Sequence, residues 1–388
     1  MLKLSKNITK LGTETAFEVL ARAEILKQQG KDVINLGIGQ PDFKTPEHIV
    51  ESAIKALRDG HHGYTPAPGI LELREAVAAD ISKYKGINVN PDNLLCVPGG
   101  KVTMFFAIKM FGMEGLEIMY PNPGFPIYES VINYSGAKPI PIPLREENNF
   151  SFDADEVLSL ISPNTSLIII NTPANPTGGA ISRKEIEKLI VGLEKHPHVA
   201  ILSDEIYSRI TYDNFEHVSL LEFEEIHDRL ILLDGWSKTY AMTGWRLGYS
   251  LWPQSLIEHA TKLAINCHSC VNAATQFAGI SALDGPQDSV DTMVSAFNER
   301  RSVIVNGLNA INGFSCKTPI GAFYAFPNIS ETGLSSRKMQ DLLLNEASVA
   351  TVAGTSFGHL GEGYIRFSYA NSVENIKIAL NRIETILP

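Results

Sequence analysis

The sequence predicts an α/β protein, in which a large domain with a mostly parallel sheet flanked by helices is joined to a small α+β domain. Two observations support this prediction. Short apolar runs alternate with stretches of helical periodicity, at residues 94–97, 116–120, 167–171, 199–203 and 230–234. Runs that are apolar on both faces are typical of buried strands in a parallel sheet. After about residue 285 this alternation ends, which indicates a second unit.

The individual elements follow in chain order. Residues 13–29 predict a helix that Thr13 caps and Gly30 ends, with Phe17, Leu20, Ala21 and Ile25 on one face. Residues 182–195 predict a helix between strands. Beyond the sheet we expect a helix near 290–308, a strand at 321–326 and a last helix from Glu374. The predicted domains are therefore 46–285 for the large one, and 1–45 with 286–388 for the small one.

Composition narrows the class of protein. The 388 residues carry a net charge of −10, and no long run of lysine or arginine is present, which argues against a nucleic-acid partner. We find no apolar stretch of membrane-spanning length. Four cysteines in a chain this long do not form a disulfide framework. We expect a cytoplasmic enzyme without a metal site.

A polar segment follows each predicted strand. In open α/β sheets ligands bind beyond the carboxyl ends of the strands, so these segments should meet in one crevice. They begin at Gly99-Gly100-Lys101, Pro121-Asn122-Pro123-Gly124-Phe125, Asn171, Asp204 and Gly235. This convergence predicts a binding site more strongly than any single motif does.

The residues of this crevice suit pyridoxal 5'-phosphate (PLP). Lys238 can form a Schiff base with an aldehyde cofactor. Arg246 and a helix opening at Gly100 can bind its phosphate, and Asp204 can keep its ring nitrogen protonated. Three further residues complete the set: Phe125 can stack on the ring, and Asn175 and Tyr207 can hydrogen-bond its hydroxyl oxygen.

Five segments resemble the motifs of the class I PLP-dependent aminotransferases. They are Ser237 to Tyr249, Asn175-Pro176-Thr177-Gly178, Asp204-Glu205-Ile206-Tyr207, Gly63-Tyr64-Thr65 with Gly69 to Arg74, and Gly363 to Tyr369. Their order and spacing hold from about Asn35 to the C-terminus. The chain also resembles the aspartate aminotransferase branch that has a Gly-Gly-Lys phosphate motif, here Gly99-Gly100-Lys101.

The resemblance implies the fold-type I architecture and a homodimer with shared sites. Lys238 would be the Schiff-base lysine and proton carrier, and Arg246 and Ser237 would contact the phosphate. Tyr64 would reach the phosphate of the neighbouring subunit. Arg366 would bind the substrate α-carboxylate, and Gly39 would close over it. The reaction expected is ping-pong transfer of an amino group between an amino acid and a 2-oxo acid.

Two positions depart from the family pattern. Gly235, three residues before Lys238, stands where serine is frequent, so one side-chain hydroxyl that would contact the phosphate is absent. Phe125 stands where tryptophan or tyrosine is frequent, so the stacking ring has no hydrogen-bonding group.

Substrate choice stays open at this point. In the resembled branch, a lysine at the position of Lys101 lies near the distal carboxylate of acidic substrates, which makes aspartate or glutamate one expected substrate. Phe17 and Phe125 could equally line a pocket for apolar side chains. The main alternative function is a carbon–sulfur β-lyase or a cyclising synthase on the same fold. A ligand-sensing regulator would need a DNA-binding segment, for which we see no room before Asn35.

Overall fold

The computed structural model describes residues 2–387, so Met1 and Pro388 lie outside the described residues. Its strands are β1 (Ile34–Asn35), β2 (Leu94–Val97), β3 (Glu117–Asn122), β4 (Lys138–Pro143), β5 (Thr165–Asn171), β6 (Ala200–Asp204), β7 (Leu230–Gly235), β8 (Gly248–Leu251), β9 (Tyr324–Ala325), β10 (Val349–Ala350), β11 (Val352–Ala353) and β12 (Ile365–Ser368). Its α-helices are α1 (Thr15–Gln28), α2 (Glu47–Arg58), α3 (Leu71–Lys85), α4 (Lys101–Phe111), α5 (Ile127–Ser135), α6 (Ala154–Ser159), α7 (Arg183–Leu193), α8 (Trp236–Thr239), α9 (Ile257–His268), α10 (Ala273–Asp284), α11 (Asp288–Ala310), α12 (Ser336–Asn345) and α13 (Val373–Ile386). Within residues 2–387, no helix is both long and apolar enough to cross a lipid bilayer.

The central sheet confirms the predicted α/β class. Its strand order is β2-β8-β7-β6-β5-β3-β4, and every neighbouring pair is parallel except the two pairs that β8 makes. All five predicted strands are present. β4 and β8 were not predicted; β4 reads Lys-Pro-Ile-Pro-Ile-Pro, and alternating prolines are tolerated only because it lies at the edge of the sheet.

Both faces of the sheet are covered, which is why its strands are apolar throughout. Along β5, Ile168 and Ile170 belong to one buried cluster, and Leu167 and Ile169 belong to another. Helices α3, α7 and α10 contribute to the first cluster, whereas α4, α5 and α9 contribute to the second. The central sheet is therefore buried between two layers of helices.

A separate buried cluster gathers residues from both ends of the chain. It joins β1 to helices α11, α12 and α13 and to the small sheet β11-β12-β9. Strand β1 pairs in parallel with β10, so the chain near residue 34 is fixed against the C-terminal part.

Two predicted elements differ from the structure. Helix α1 begins at Thr15 with Glu14 as its N-cap, so the predicted capping role of Thr13 is wrong. Its buried residues are Val19 and Ala23, which pack on Val33, Leu344 and Ala350, and not the predicted face that carries Phe17 and Ile25. The predicted strand at 321–326 is reduced to Tyr324–Ala325, because Ala322 adopts a positive φ of 56° that interrupts the extended backbone.

Candidate active site

A cavity of about 460 Å³ opens at the carboxyl edge of the central sheet. All but one of the residues predicted for the site line it: Gly39, Gly100, Lys101, Phe125, Asn175, Asp204, Tyr207, Ser237, Lys238, Arg246 and Arg366. They come from the segments that follow β1, β2, β3, β5 and β7, from the end of β6 and the segment after it, and from β12 in the C-terminal part of the chain. The topology thus brings together residues that are up to 327 positions apart in sequence, from Gly39 to Arg366.

Lys238 lies on the short helix α8, which follows β7 directly. Its Nζ donates a hydrogen bond to the carbonyl oxygen of Gly39 at 2.6 Å. Burial, together with the nearby guanidinium groups of Arg366 and Arg246, lowers the pKa of Lys238 to about 7. Near neutral pH a large fraction of this amine is therefore uncharged, as a nucleophile or proton acceptor must be.

Asp204 ends strand β6 and is buried. Its Oδ2 accepts a hydrogen bond from the hydroxyl of Tyr128 at 2.6 Å, and its Oδ1 accepts one from the backbone of Ile206 at 3.3 Å. Burial raises the pKa of the Asp204 carboxyl to about 7, although both of these hydrogen bonds act in the opposite direction. No lysine or arginine within residues 2–387 forms an ion pair with Asp204. Its carboxyl group is therefore available to pair with a cationic group that enters the cavity.

The N-terminus of α4 and Arg246 face each other across a glycine. Gly99 has a positive φ of 90°, and the Arg246 guanidinium packs where a Cβ of Gly99 would lie. Arg246 donates to the carbonyl oxygen of Thr243 at 2.8 Å and has no carboxylate partner in the described part of the chain. The positive end of the α4 dipole beside a guanidinium without a carboxylate partner forms an anion-binding corner.

The structure gives a reason for the unusual Gly235. A Cβ at this position would lie 2.8 Å from the Cα of Gly248, because β7 and β8 approach closely there. Any side chain, serine included, would push the two strands apart. Ser237 and Thr243 line the cavity nearby and offer hydroxyl groups.

Arg366 is buried on β12 at the other side of the cavity. One of its terminal nitrogens donates to Asn175 Oδ1 at 2.9 Å and the other to the Gly37 carbonyl oxygen. The rings of Tyr324 and Phe357 lie 4.6 and 4.7 Å from its guanidinium carbon. No carboxylate of residues 2–387 pairs with Arg366, and its Nε has no hydrogen-bond partner there. A buried guanidinium without a counter-ion is suited to an incoming carboxylate.

Tyr207 and Gly39 are linked through a residue that was not predicted. The hydroxyls of Tyr207 and Tyr324 are 2.8 Å apart. The Tyr324 hydroxyl also occupies the space that a Cβ of Gly39 would need, so only glycine fits at position 39. The backbone oxygen of Gly39 is therefore held where Lys238 contacts it.

Lys101 begins α4 and is already paired. Its Nζ forms an ion pair with the carboxylate of Glu14 from the start of α1. The same nitrogen lies 5.6 Å from the centre of the Phe17 ring and 5.4 Å from that of Phe125. At this end of the cavity the ammonium group of Lys101 thus lies between one carboxylate and two aromatic rings.

Tyr64 is the one predicted site residue outside the cavity. Its side chain is 94% exposed and borders a different depression, near His61, Cys270 and Asn272. The position leaves it available to another molecule, as the predicted contact with a neighbouring subunit requires.

Sequence reasoning missed Tyr128, Tyr324, Glu14 and Phe357, all of which contact predicted site residues. Tyr324 lay within the predicted strand 321–326, so a polar aromatic residue in that strand could have been proposed as a site residue from the sequence. Glu14 lay at a helix start, where an acidic residue is explained by the helix dipole alone.

The cavity fits PLP on its own geometry. It contains a partly uncharged lysine, a buried carboxylate without a cation, an anion-binding corner and an aromatic side chain, Phe125. These are the four features that an aldehyde, a protonated ring nitrogen, a phosphate and a flat ring require.

Residues 31–383 match the family model described as "Aminotransferase class I and II". The chain belongs to this family. It is a PLP-dependent aminotransferase, so its substrates are amino acids and 2-oxo acids, and the lyase alternative is not favoured. The chain is 43% identical to an aspartate aminotransferase of Pyrococcus horikoshii over 359 residues, which cover 92% of this chain and 91% of the relative. It is 38% identical to aromatic-amino-acid aminotransferase 2 of Thermococcus litoralis, with 93% of each chain covered.

Solved structures agree with this assignment. The aspartate aminotransferase from Thermus thermophilus with maleate superposes with a TM-score of 0.95 at 32% identity, and the match covers 100% of each chain. The fold-type I architecture expected from the sequence is thereby confirmed.

Proposed function

We propose that this aminotransferase accepts aspartate or glutamate, with oxaloacetate or 2-oxoglutarate as the matching oxo acids, and also accepts apolar amino acids. The observation that carries the proposal is Lys101, a cation on the cavity wall that is separate from Arg366. A dicarboxylate needs two cations, and these two suit its two ends. The relatives named for aspartate and for aromatic amino acids, and the Thermus structure with the dicarboxylate maleate, support this breadth.

Each predicted residue has a proposed task. Arg246, Ser237 and the N-terminus of α4 hold the phosphate, Phe125 covers the ring, and Asp204 holds a proton at the ring nitrogen. When bound, PLP supplies an aldehyde carbon that links to amino groups and a ring that draws electrons from them.

The remaining tasks concern the substrate. Arg366 binds the α-carboxylate, with Asn175 fixing its guanidinium plane and Gly39 closing over the bound group. Lys238 as a neutral amine removes the proton from the substrate Cα and delivers it to the cofactor carbon. Tyr207 donates a hydrogen bond to the ring hydroxyl oxygen.

The substrate proposal is tested by Lys101→Ala, with Lys109→Ala at the other end of α4 as the matched control. One charge-assisted contact is worth about 1.5–3 kcal/mol, so kcat/KM for aspartate should fall roughly 10- to 150-fold. The value for alanine should change less than about twofold, and Lys109→Ala should resemble the wild type. Equal losses for aspartate and alanine would contradict the proposed acidic substrate.

We further propose a homodimer in which Tyr64 of each subunit reaches the phosphate of the other. The exposure of Tyr64 away from its own cavity supports this arrangement. Mixing an inactive Lys238→Ala chain with an impaired Tyr64→Ala chain should restore activity by forming one intact site per mixed dimer. A fully active monomer in sedimentation experiments would contradict the dimer.

Two coarser features complete the proposal. The buried clusters support a large domain at 46–285 and a small one from 1–45 and 286–388. The four cysteines are unpaired, which favours a cytoplasmic location.

A further inference from the structure

Among the described residues that line the cavity, Glu14 is a carboxylate without a task in the proposed reaction. Asp204 is the other carboxylate among these residues, and it would hold the proton at the ring nitrogen of bound PLP. The basic side chains among the described residues that line the cavity are those of Lys101, Lys238, Arg246 and Arg366. Three of them have tasks in the reaction, which leaves Lys101 for the substrate side chain. Glu14 binds that fourth cation.

The ion pair is placed where it can open and close. The side chain of Glu14 is 13% exposed and that of Lys101 is 41% exposed, so water reaches the pair from one side. Glu14 is the N-cap of α1, but its side chain makes no capping hydrogen bond. Its carboxylate therefore leaves Lys101 without breaking a helix cap.

Two different environments result for the substrate side chain. With the pair closed, this end of the cavity has no net charge and presents the rings of Phe17 and Phe125. An apolar side chain fits such a surface. With the pair open, Lys101 offers an ammonium group that attracts a distal carboxylate.

We infer that Glu14 is a specificity-determining residue, an internal carboxylate that competes with the distal carboxylate of acidic substrates for Lys101. The inference rests on the proposed acidic substrates and adds the residue that limits them. An acidic substrate binds Lys101 only after displacing Glu14, whereas an apolar substrate leaves the pair closed. Glu14 thereby weakens the preference for aspartate and favours the acceptance of both substrate classes.

The test is Glu14→Gln in the holoenzyme, which removes the charge and keeps the size. Since a partly exposed ion pair no longer has to be broken, kcat/KM for aspartate should rise roughly two- to fivefold. The values for alanine and phenylalanine should not rise, because Lys101 then presents an unpaired charge beside the apolar surface. Maleate gives a readout independent of turnover, and its dissociation constant, measured by calorimetry, should fall by the same factor.

The control is Glu18→Gln, which makes the same charge change one turn along α1 on an exposed side chain outside the cavity. It should behave as the wild type does. In a Lys101→Ala background the gain from Glu14→Gln should shrink, because the competition no longer exists. A gain of equal size in that background would indicate plain charge repulsion and would overturn the inference.

The remaining outcomes separate this inference from the proposed function. If the wild type turns over aspartate and Glu14→Gln leaves both kcat/KM and maleate binding unchanged, the role of Glu14 is wrong while the substrate proposal stands. If neither enzyme turns over aspartate or glutamate, the substrate proposal is wrong and the inference falls with it.

Discussion

The cavity has two sides that are built differently. The reaction floor, which we define as Asp204, Tyr207 and Lys238, stands at the ends of β6 and β7 and is held by a sheet that is covered on both faces. The substrate wall, defined as Glu14, Phe17 and Lys101, consists of the starts of two helices and is partly open to water. Burial shifts the pKa values of Asp204 and Lys238 strongly. The difference suggests that the floor sets the chemistry for every substrate, whereas the wall sets which substrate is chosen.

The largest effect expected at the reaction floor comes from Lys238→Ala. This substitution removes both the covalent partner of the cofactor and the proton carrier, so the half-reaction rate should fall by roughly 10⁴-fold or more. In the wild type, borohydride reduction followed by peptide mass spectrometry should find the cofactor attached to Lys238. A Lys238→Ala enzyme that transaminates at a near-normal rate would refute its role.

Sequence alone predicted the reaction floor and two residues of the substrate wall, Lys101 and Phe17, but not the ion pair that Glu14 forms with Lys101. Asp204 and Lys238 follow continuous apolar runs, and the edge where parallel strands end is fixed by the topology. The Glu14–Lys101 pair joins residues 87 positions apart through the docking of α1, and this docking depends on Val19 and Ala23 packing on Leu344. The helical pattern of residues 13–29 favoured a different buried face, so the ion pair could not be inferred, although Phe17 was predicted as a possible residue of the pocket and lines the cavity. Tyr128 was missed for a similar reason, because only the packing of α5 on the sheet brings its hydroxyl to Asp204.

Asp204→Ala should have the next largest effect. Without this carboxylate the ring nitrogen is less often protonated, so the ring withdraws electrons more weakly. Removal of the proton from the substrate Cα should therefore slow by roughly 10²- to 10³-fold. Single-turnover absorbance measurements with aspartate and with alanine check this. Substrate affinity should change far less than the rate, and an unchanged single-turnover rate would exclude the proposed role.

The pH dependence of cofactor capture tests the depressed pKa of Lys238. Because that pKa is about 7, raising the pH from 6 to 8 converts most of the ammonium to free amine. The rate at which the apoenzyme binds PLP covalently should therefore rise about tenfold over this range and then level off. Stopped-flow absorbance provides the measurement. A rate that continues to climb towards pH 10 would mean that Lys238 titrates as an ordinary lysine does.

The smallest effect at the floor is expected for Tyr128→Phe. The Tyr128 hydroxyl stabilises the charged form of Asp204, and the ring itself stays buried on α5 after the substitution. We expect the half-reaction to slow about three- to tenfold for all substrates alike, since only part of the hydrogen-bond energy differs between ground and transition states. Tyr134→Phe, on the same helix but packed near Lys109, is the control and should leave the rate unchanged. A substrate-dependent change in Tyr128→Phe would place this residue with the substrate wall instead.

The most direct test of the division between floor and wall is the ratio of half-reaction rates for aspartate and alanine, measured in Asp204→Ala and in Lys101→Ala. Our account predicts that Asp204→Ala lowers both rates by a similar factor and keeps the ratio within about twofold of the wild type. It predicts that Lys101→Ala lowers the ratio roughly tenfold or more, because only aspartate loses a charged contact. A ratio that changes as much in Asp204→Ala as in Lys101→Ala would contradict the division.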